Sequence, residues 1–453
     1  MSQPNFAGVA GGLSLLGLLA VSPAVLGQGL GNSPYSRLGL GDASLNSGGV
    51  RQMGMGGIGV AAPNSVNVNE LNPALLYYTN RTTFEAGFTG QFKTLRNSVS
   101  SQRTGSGNLG YLALAVPINR RWAGAIGLKP YSTVDYETRT LDNTIQGDPT
   151  SQIEKRYVGS GGLAEAYMSH AVRLAKGLTV GASVGYVFGN IQQEASTRIS
   201  TSTLPLALSN RDIYQEQVHY SDFAFRMGLH YRGEITDKLN YNIGGTHSFR
   251  SNLNGERNVA LVRQDPNEIQ IGSTTQEVEA PGRAQVPSLT QIGFSLDNNR
   301  SWSLSLEGAR QEWSQFRAFG EQGGSSGILL SDTYRFGAGG EITPDATSVE
   351  NYFKRVTYRA GLNVAQLPYR PGGNALYDRS VSWGFGFPLP TATALDATTI
   401  SLGFTYGQRG NTDVLRLTEG TTERIERNVK EDYVRMQLGV TLNNRWFIKR
   451  RIE

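Results

Sequence analysis

The chain of 453 residues contains no cysteine. That absence excludes disulfides, Cys-ligated zinc, iron–sulfur clusters and thiol nucleophiles. Histidine is scarce as well, at four residues. His170, His219, His230 and His247 form no H-x-x-x-H or close carboxylate spacing, so no metal site is read, and all four are expected to be solvated or interfacial. No nucleophile elbow of the G-x-S-x-G type is expected. The chain is therefore read as a non-enzyme without a cofactor. Long apolar runs are missing too. With 38% hydrophobic residues and about 20 consecutive apolar residues needed per helical span, a helical membrane bundle is excluded. Nor does any basic run interleave with aromatics to track a nucleic acid, although the net charge is +5.

What is abundant is glycine, 56 residues, with 20 tyrosines against five tryptophans. This is a β-rich, turn-rich profile. The N-terminal GGLSLLGLLAVSPAVLG reads as an export signal over residues 1–27, with Gln28 as the mature start, although no Lys or Arg precedes the apolar run.

From about residue 82 onward, segments of 9 to 14 residues alternate with period two. In ISLGFTYG, Ile400, Leu402, Phe404 and Tyr406 share one face, and Ser401, Gly403, Thr405 and Gly407 the other. In YVRMQLGVTL, Val434, Met436, Leu438, Val440 and Leu442 oppose Arg435, Gln437, Gly439 and Thr441. Strands are expected to begin near residues 82, 108, 121, 155, 178, 214, 238, 284, 300, 332, 354, 380, 398 and 431. Tight turns at 119–121, 175–177, 236–238 and 297–300 alternate with long polar connections. A membrane barrel has this short–long rhythm, and a soluble sandwich has no reason for it. The expected fold is an all-β transmembrane antiparallel up-and-down β-barrel of about fourteen strands over residues 81–453. Trp122, Tyr131, Tyr186, Phe188, Tyr231, Phe249, Trp302, Tyr334, Tyr406 and Tyr433 fall toward strand ends and are expected in its interfacial girdles.

Residues 28–80 lack sustained alternation and are rich in Gly and Asn. Gly54, Gly56 and Gly59 match the dinucleotide spacing G-x-G-x-x-G, but no strand precedes them and Pro63 follows, so the match reflects glycine-rich composition. The segment fits a leader tail or a plug, and we take it as an N-terminal hatch in the lumen. The polar faces place Glu85, Arg226, Glu307, Arg335, Glu341, Arg359 and Arg435 toward the lumen. They would hold the hatch, meet a carboxylate head group, or fill a plugged barrel as ion pairs. Leu204, Leu206 and Leu208, with Ile328, Leu329 and Leu330, form apolar loop patches for a ligand or a protein partner, or extend strands above the membrane.

Several stretches resemble the FadL/OmpP1/TodX family of outer-membrane hydrophobic-compound transporters. RQMGMGGIGVA followed by NELNPALL is similar to its hatch, on Gly54, Gly56, Gly57, Asn72, Pro73 and Ala74. LEGARQEWSQFRAF resembles its W-S-x-F strand end at Trp313, Ser314 and Phe316. The stretches YRFGAGGEITPD, YRAGLNVAQLPYR and SWGFGF then follow in the family's order. The resemblance implies a fourteen-stranded barrel with a lumen hatch, residence among outer-membrane lipid, and passive uptake of a fatty acid or hydrocarbon. SPYSRLGLGD and the basic ending NNRWFIKRRIE look more like Bacteroidota barrels, among which such proteins also serve as partner subunits of secretion or assembly complexes.

Overall fold

The computed structural model describes residues 32–43, 48–142, 151–201, 204–320, 330–390, 397–419 and 422–444; the export signal and Ile328 and Leu329 lie outside them. Its strands begin with β1 (Thr82–Arg96), β2 (Ser101–Asn119), β3 (Trp122–Asp142), β4 (Gln152–Ala175), β5 (Leu178–Ser200) and β6 (Arg211–Thr236). There follow β7 (Leu239–Ser248), β8 (Ser251–Gln264), β9 (Gln270–Val286), β10 (Leu289–Asp297), β11 (Trp302–Gln311) and β12 (Thr333–Ile342). The last six are β13 (Thr357–Gln366), β14 (Tyr377–Leu389), β15 (Ala397–Arg409), β16 (Val414–Glu419), β17 (Thr422–Arg427) and β18 (Lys430–Asn444).

All pairings are antiparallel, and fourteen strands close a barrel in which β1 pairs with β18 from Thr82↔Asn444 to Arg96↔Lys430. The other four, β8, β9, β16 and β17, are hairpins within long connections. Sequence reading treated 251–281 as a polar loop. It forms β8–β9 instead: β8 alternates buried and exposed but both its faces carry polar residues, and β9 is exposed over most of its length, so neither strand shows an apolar face in the sequence.

Burial is inverted relative to a soluble protein. On β1, Glu85 and Gln91 are 1% exposed while Phe88 and Phe92 are 50% and 63% exposed. The greasy face of the alternation therefore points outward, as a barrel in lipid requires. Trp122, Trp302, Tyr186, Tyr231, Phe249, Tyr334 and Tyr406 are exposed on that outer side. Two expected girdle residues are not. Tyr433 is buried and donates to Asp378 Oδ1 at 2.8 Å, and Tyr131, at a register shift between Pro130 and Ser132, packs against an interior apolar cluster. His230 also departs from expectation, being fully buried beside Tyr78.

The wall is uneven in height. β4, β5 and β6 run 24, 23 and 26 residues, against 10 each for β7, β11, β12 and β13. Since a crossing takes about 9–11 residues, the tall strands continue well past the membrane, and β8 pairs with the upper part of β6 from Arg211↔Gln264 to Tyr220↔Gly255. The wall is also incomplete. β2 and β3 pair only from Leu112↔Leu128 to Asn119↔Trp122, so above this point a seam separates them.

An outward residue at mid-strand should tolerate no charge. Leu306→Arg, on the exposed face of β11, is expected to destabilise the barrel by about 2–4 kcal/mol, measured by reversible unfolding in lipid vesicles; an unchanged midpoint would contradict the assigned outer face.

Candidate functional site

The lumen is where the sequence-predicted residues converge. Residues 48–81 lie inside the barrel and bond to the inward faces of strands around the whole ring. Val50–Met53 makes one helical turn, and Gly56 and Gly57 then turn the chain with φ of +83° and +71°. Glycine adopts such angles without the Cβ clash that hinders other residues. The Gly56 N–H donates to Ser382 Oγ at 2.7 Å, and Gly54 lies against Arg359. Asn72 caps the short helix Pro73–Tyr78 by accepting from the Ala74 N–H at 3.0 Å, and its Nδ2 donates to the Val60 carbonyl at 2.7 Å and the Leu229 carbonyl at 3.2 Å.

The wall is shaped to admit this backbone. A Cβ on Gly361 would collide with Met55, and one on Gly228 with the Asn72 carboxamide. Gly361 thus lets hatch and strand approach to backbone contact, and Gly228 makes room for the Asn72 side chain.

All seven predicted lumen charges point inward, and five hydrogen-bond to the hatch directly. Glu341 receives Arg51 Nη2 at 2.6 Å and Arg359 Nε at 3.2 Å, so one carboxylate is shared by a hatch arginine and a wall arginine. Glu307 accepts the N–H groups of Gly59 and Val60 at 2.9 and 3.0 Å and pairs with Arg335 at 2.6 Å. Arg335 also donates to the Gly57 carbonyl. Glu85 accepts from the Val68 N–H at 2.9 Å and from Tyr111 at 2.7 Å, and Arg226 donates to the Glu70 carbonyl at 3.1 Å. Arg359 acts through Glu341, and Arg435 bonds Gln91 at 2.8 Å.

Sequence reading missed the hatch side of this network. Arg51 is 0% exposed, and its signal was available: a lone guanidinium beside the plug glycines needs a buried carboxylate. Lys129 was missed as well; it lies 3.9 Å from Glu70 and 3.7 Å from Glu165. Burial in the plug pushes the Glu70 carboxyl up to about 7 against the pull of Lys129. Also missed was a G-x-S-x-G spacing, at Gly181–Gly185. It lies within β5 rather than on a strand-to-helix turn, and Ser183 hydrogen-bonds Ser169 at 2.8 Å, so it presents no nucleophile.

A second strap precedes the hatch. The Ser33 N–H donates to the Asp135 carbonyl, and Asp42 and Thr133 exchange backbone bonds at 2.8 and 3.1 Å, tying residues 33–42 to β3. The opposite side is held by Arg409, which meets Asp42 at 2.7 Å, Asp378 at 3.0 Å and Glu431 at 3.8 Å. Above the hatch, Leu40, Val134, Leu163, Val187, Leu253 and Phe316 form a buried apolar cluster. Between hatch and cluster remains a cavity of about 340 Å³ that Arg226, Arg335, Arg409 and Arg435 help to line.

Of the predicted loop-patch residues, four are described. Leu204 and Leu208 are exposed, Leu206 half-buried, and Leu330 packs against the interior cluster. The W-S-x-F stretch caps that cluster with Phe316. There the Ser314 hydroxyl at 2.6 Å, with Arg310, holds the Asp332 carboxyl below its usual range.

A family model named BamG matches residues 13–453. The chain belongs to the BamG family. Its fold is similar to that of a Pseudomonas aeruginosa FadL homologue, at 14% identity and a TM-score of 0.57, covering 87% of this chain and 98% of the other. It is also similar to the monoaromatic hydrocarbon channel CymD, at 17% identity and a TM-score of 0.53 over 90% and 100% of the two chains. For the P. putida toluene transporter TodX the values are 15%, 0.53, 88% and 98%. At these identities the likeness establishes the FadL-type fold alone. No curated protein matches this BamG family member.

Glu341→Gln leaves two buried guanidiniums without their carboxylate and is expected to cost about 3–5 kcal/mol. Arg51→Met leaves the Glu341–Arg359 pair intact and should cost less. Unfolding midpoints in detergent check the order, and a larger loss in Arg51→Met would contradict the shared-carboxylate arrangement.

Proposed function

We propose that this BamG family barrel resides in the outer membrane and serves as a partner subunit of an outer-membrane protein complex, with its long connections outside and its short turns in the periplasm. The observation that carries the reading is the closed lumen. A hatch bonded to strands around the ring lies beneath an apolar cluster, so a diffusing ligand meets side chains at both levels. Exposed apolar side chains at the outer end, Val99 at 72% in the tight β1–β2 turn and Leu208 at 62% in the β5–β6 connection, add surface suited to protein contact. The BamG match is compatible with this role. The chain acts in it without catalysis or cofactor.

A second reading is passive uptake of a hydrophobic compound, such as a long-chain fatty acid or a hydrocarbon. It is favoured by the arginine-lined cavity and the β2–β3 seam, and by a fold shared with hydrocarbon channels. In that case a carboxylate would be met by Arg226 or Arg435, neither of which has an ion-pair partner shown among the described residues.

The two readings separate on purification of the full-length protein from its own membrane in mild detergent, with mass spectrometry of proteins and lipids. A protein partner in stoichiometric amount without a bound fatty acid is the expected result. One fatty acid or hydrocarbon per chain and no protein partner would overturn the subunit role.

A further inference from the structure

The seam between β2 and β3 is closed on one side only. Above Leu128, β3 continues to Asp142 paired with β4, and its seam-facing edge is taken by the strap. Ser33 and Asp42 bond the Asp135 and Thr133 backbone, while Ser36 Oγ and Asn32 Oδ1 accept from the Asp135 and Glu137 N–H groups at 3.0 and 3.1 Å. On the other side, β2 from Ser101 to Gly110 pairs with β1 and, among the described residues, with no second strand.

Every second residue of that stretch turns its N–H and C=O away from β1, toward the seam. A crossing of about 9–11 residues counted from Asn119 puts the lower end of the free edge at membrane depth, where water cannot satisfy it. The edge carries Gly105, Gly107 and Gly110, the last at a bulge opposite Gly87 and Phe88, and one charge, Arg103. At its foot an apolar groove of about 540 Å³ opens on the outer face, lined by Leu112, Leu114, Ile126, Leu128, Met168 and Phe223.

The free edge of β9 differs. β9 lies beyond the barrel and carries Glu277, Glu279, Pro281 and Arg283, residues that blunt an edge against pairing. β2 has no such protection.

We infer that the β2 edge from Ser101 to Gly110 receives an extended β-strand of another protein in the complex, which completes the sheet across the seam and lays its lower, apolar side chains in the groove. Hydrogen bonds identify the occupant: a row of unpaired backbone donors and acceptors is matched by another strand and not by an acyl chain. The inference rests on the subunit reading.

The test places a photo-reactive benzophenone amino acid, one position at a time, at Arg103, Gly105, Gly107 and Leu109 of the full-length protein in its own membrane, with Leu362 on the outer face of β13 as control. Expected are adducts from all four sites to one partner protein and none from Leu362. Their cross-linked peptides should advance along one continuous stretch of the partner, in step with β2. Gly107→Lys should abolish the Gly105 and Leu109 adducts. An ideal Cβ there meets nothing closer than 3.6 Å, so the barrel itself should fold. If a stoichiometric complex is isolated but the four sites yield only lipid adducts, self-adducts or none, the edge inference fails and the subunit reading stands. If no partner co-purifies, both fail.

Discussion

The structure depends on one shared carboxylate. Glu341 on β12 is held by Arg51 from the hatch and Arg359 from β13. A guanidinium in a dry lumen is tolerated only when its charge is matched and its donors are satisfied. Arg51 therefore ties the plug to the wall more specifically than apolar packing could, because displacing it strands its own buried charge while Glu341 keeps Arg359. Glu307 extends the same logic by accepting two hatch N–H groups while paired with Arg335.

Close approach makes these bonds geometrically available. Where the hatch passes Gly361 and Gly181, its backbone comes to a distance that any side chain on the wall would prevent. The glycine-rich composition is thus the counterpart of a plug inserted to backbone contact, and the G-x-G-x-x-G spacing belongs to that plug. The strap of residues 33–42 does for the seam what the hatch does for the lumen. It satisfies the β3 backbone that lost β2 as a neighbour, and Arg409 fastens it with three carboxylates.

Much of the barrel was legible because alternation is local. A strand with one face in lipid and one in a polar lumen writes its period directly into the chain, so all fourteen barrel strands and the inward direction of Glu85, Glu307 and Glu341 could be read. What depended on distant partners was not legible. The strand β9 is exposed over most of its length, and β8, although it alternates in burial, has polar residues on both faces, so neither carries the apolar face that marks a membrane strand. Tyr433 sits on the lumen face of β18, where Asp378 of β14 accepts its hydroxyl, a contact set by strand register. His230 is buried because the short helix Pro73–Tyr78 packs over it. The seam follows from where pairing stops, and neither β2 nor β3 shows it alone.

The central claim is that the hatch is a fixed structural part of the barrel and not a moving gate. A chain without native cysteine allows a direct measurement. An ideal Cβ at Gly439 would lie 3.2 Å from the Val50 Cβ, close to the spacing of a disulfide, so Val50→Cys with Gly439→Cys can tether hatch to wall in the host's only copy of the protein. The account predicts that the oxidised, tethered barrel recovers its partner and supports growth as the reduced form does. Loss of either on oxidation, regained on reduction, would contradict it.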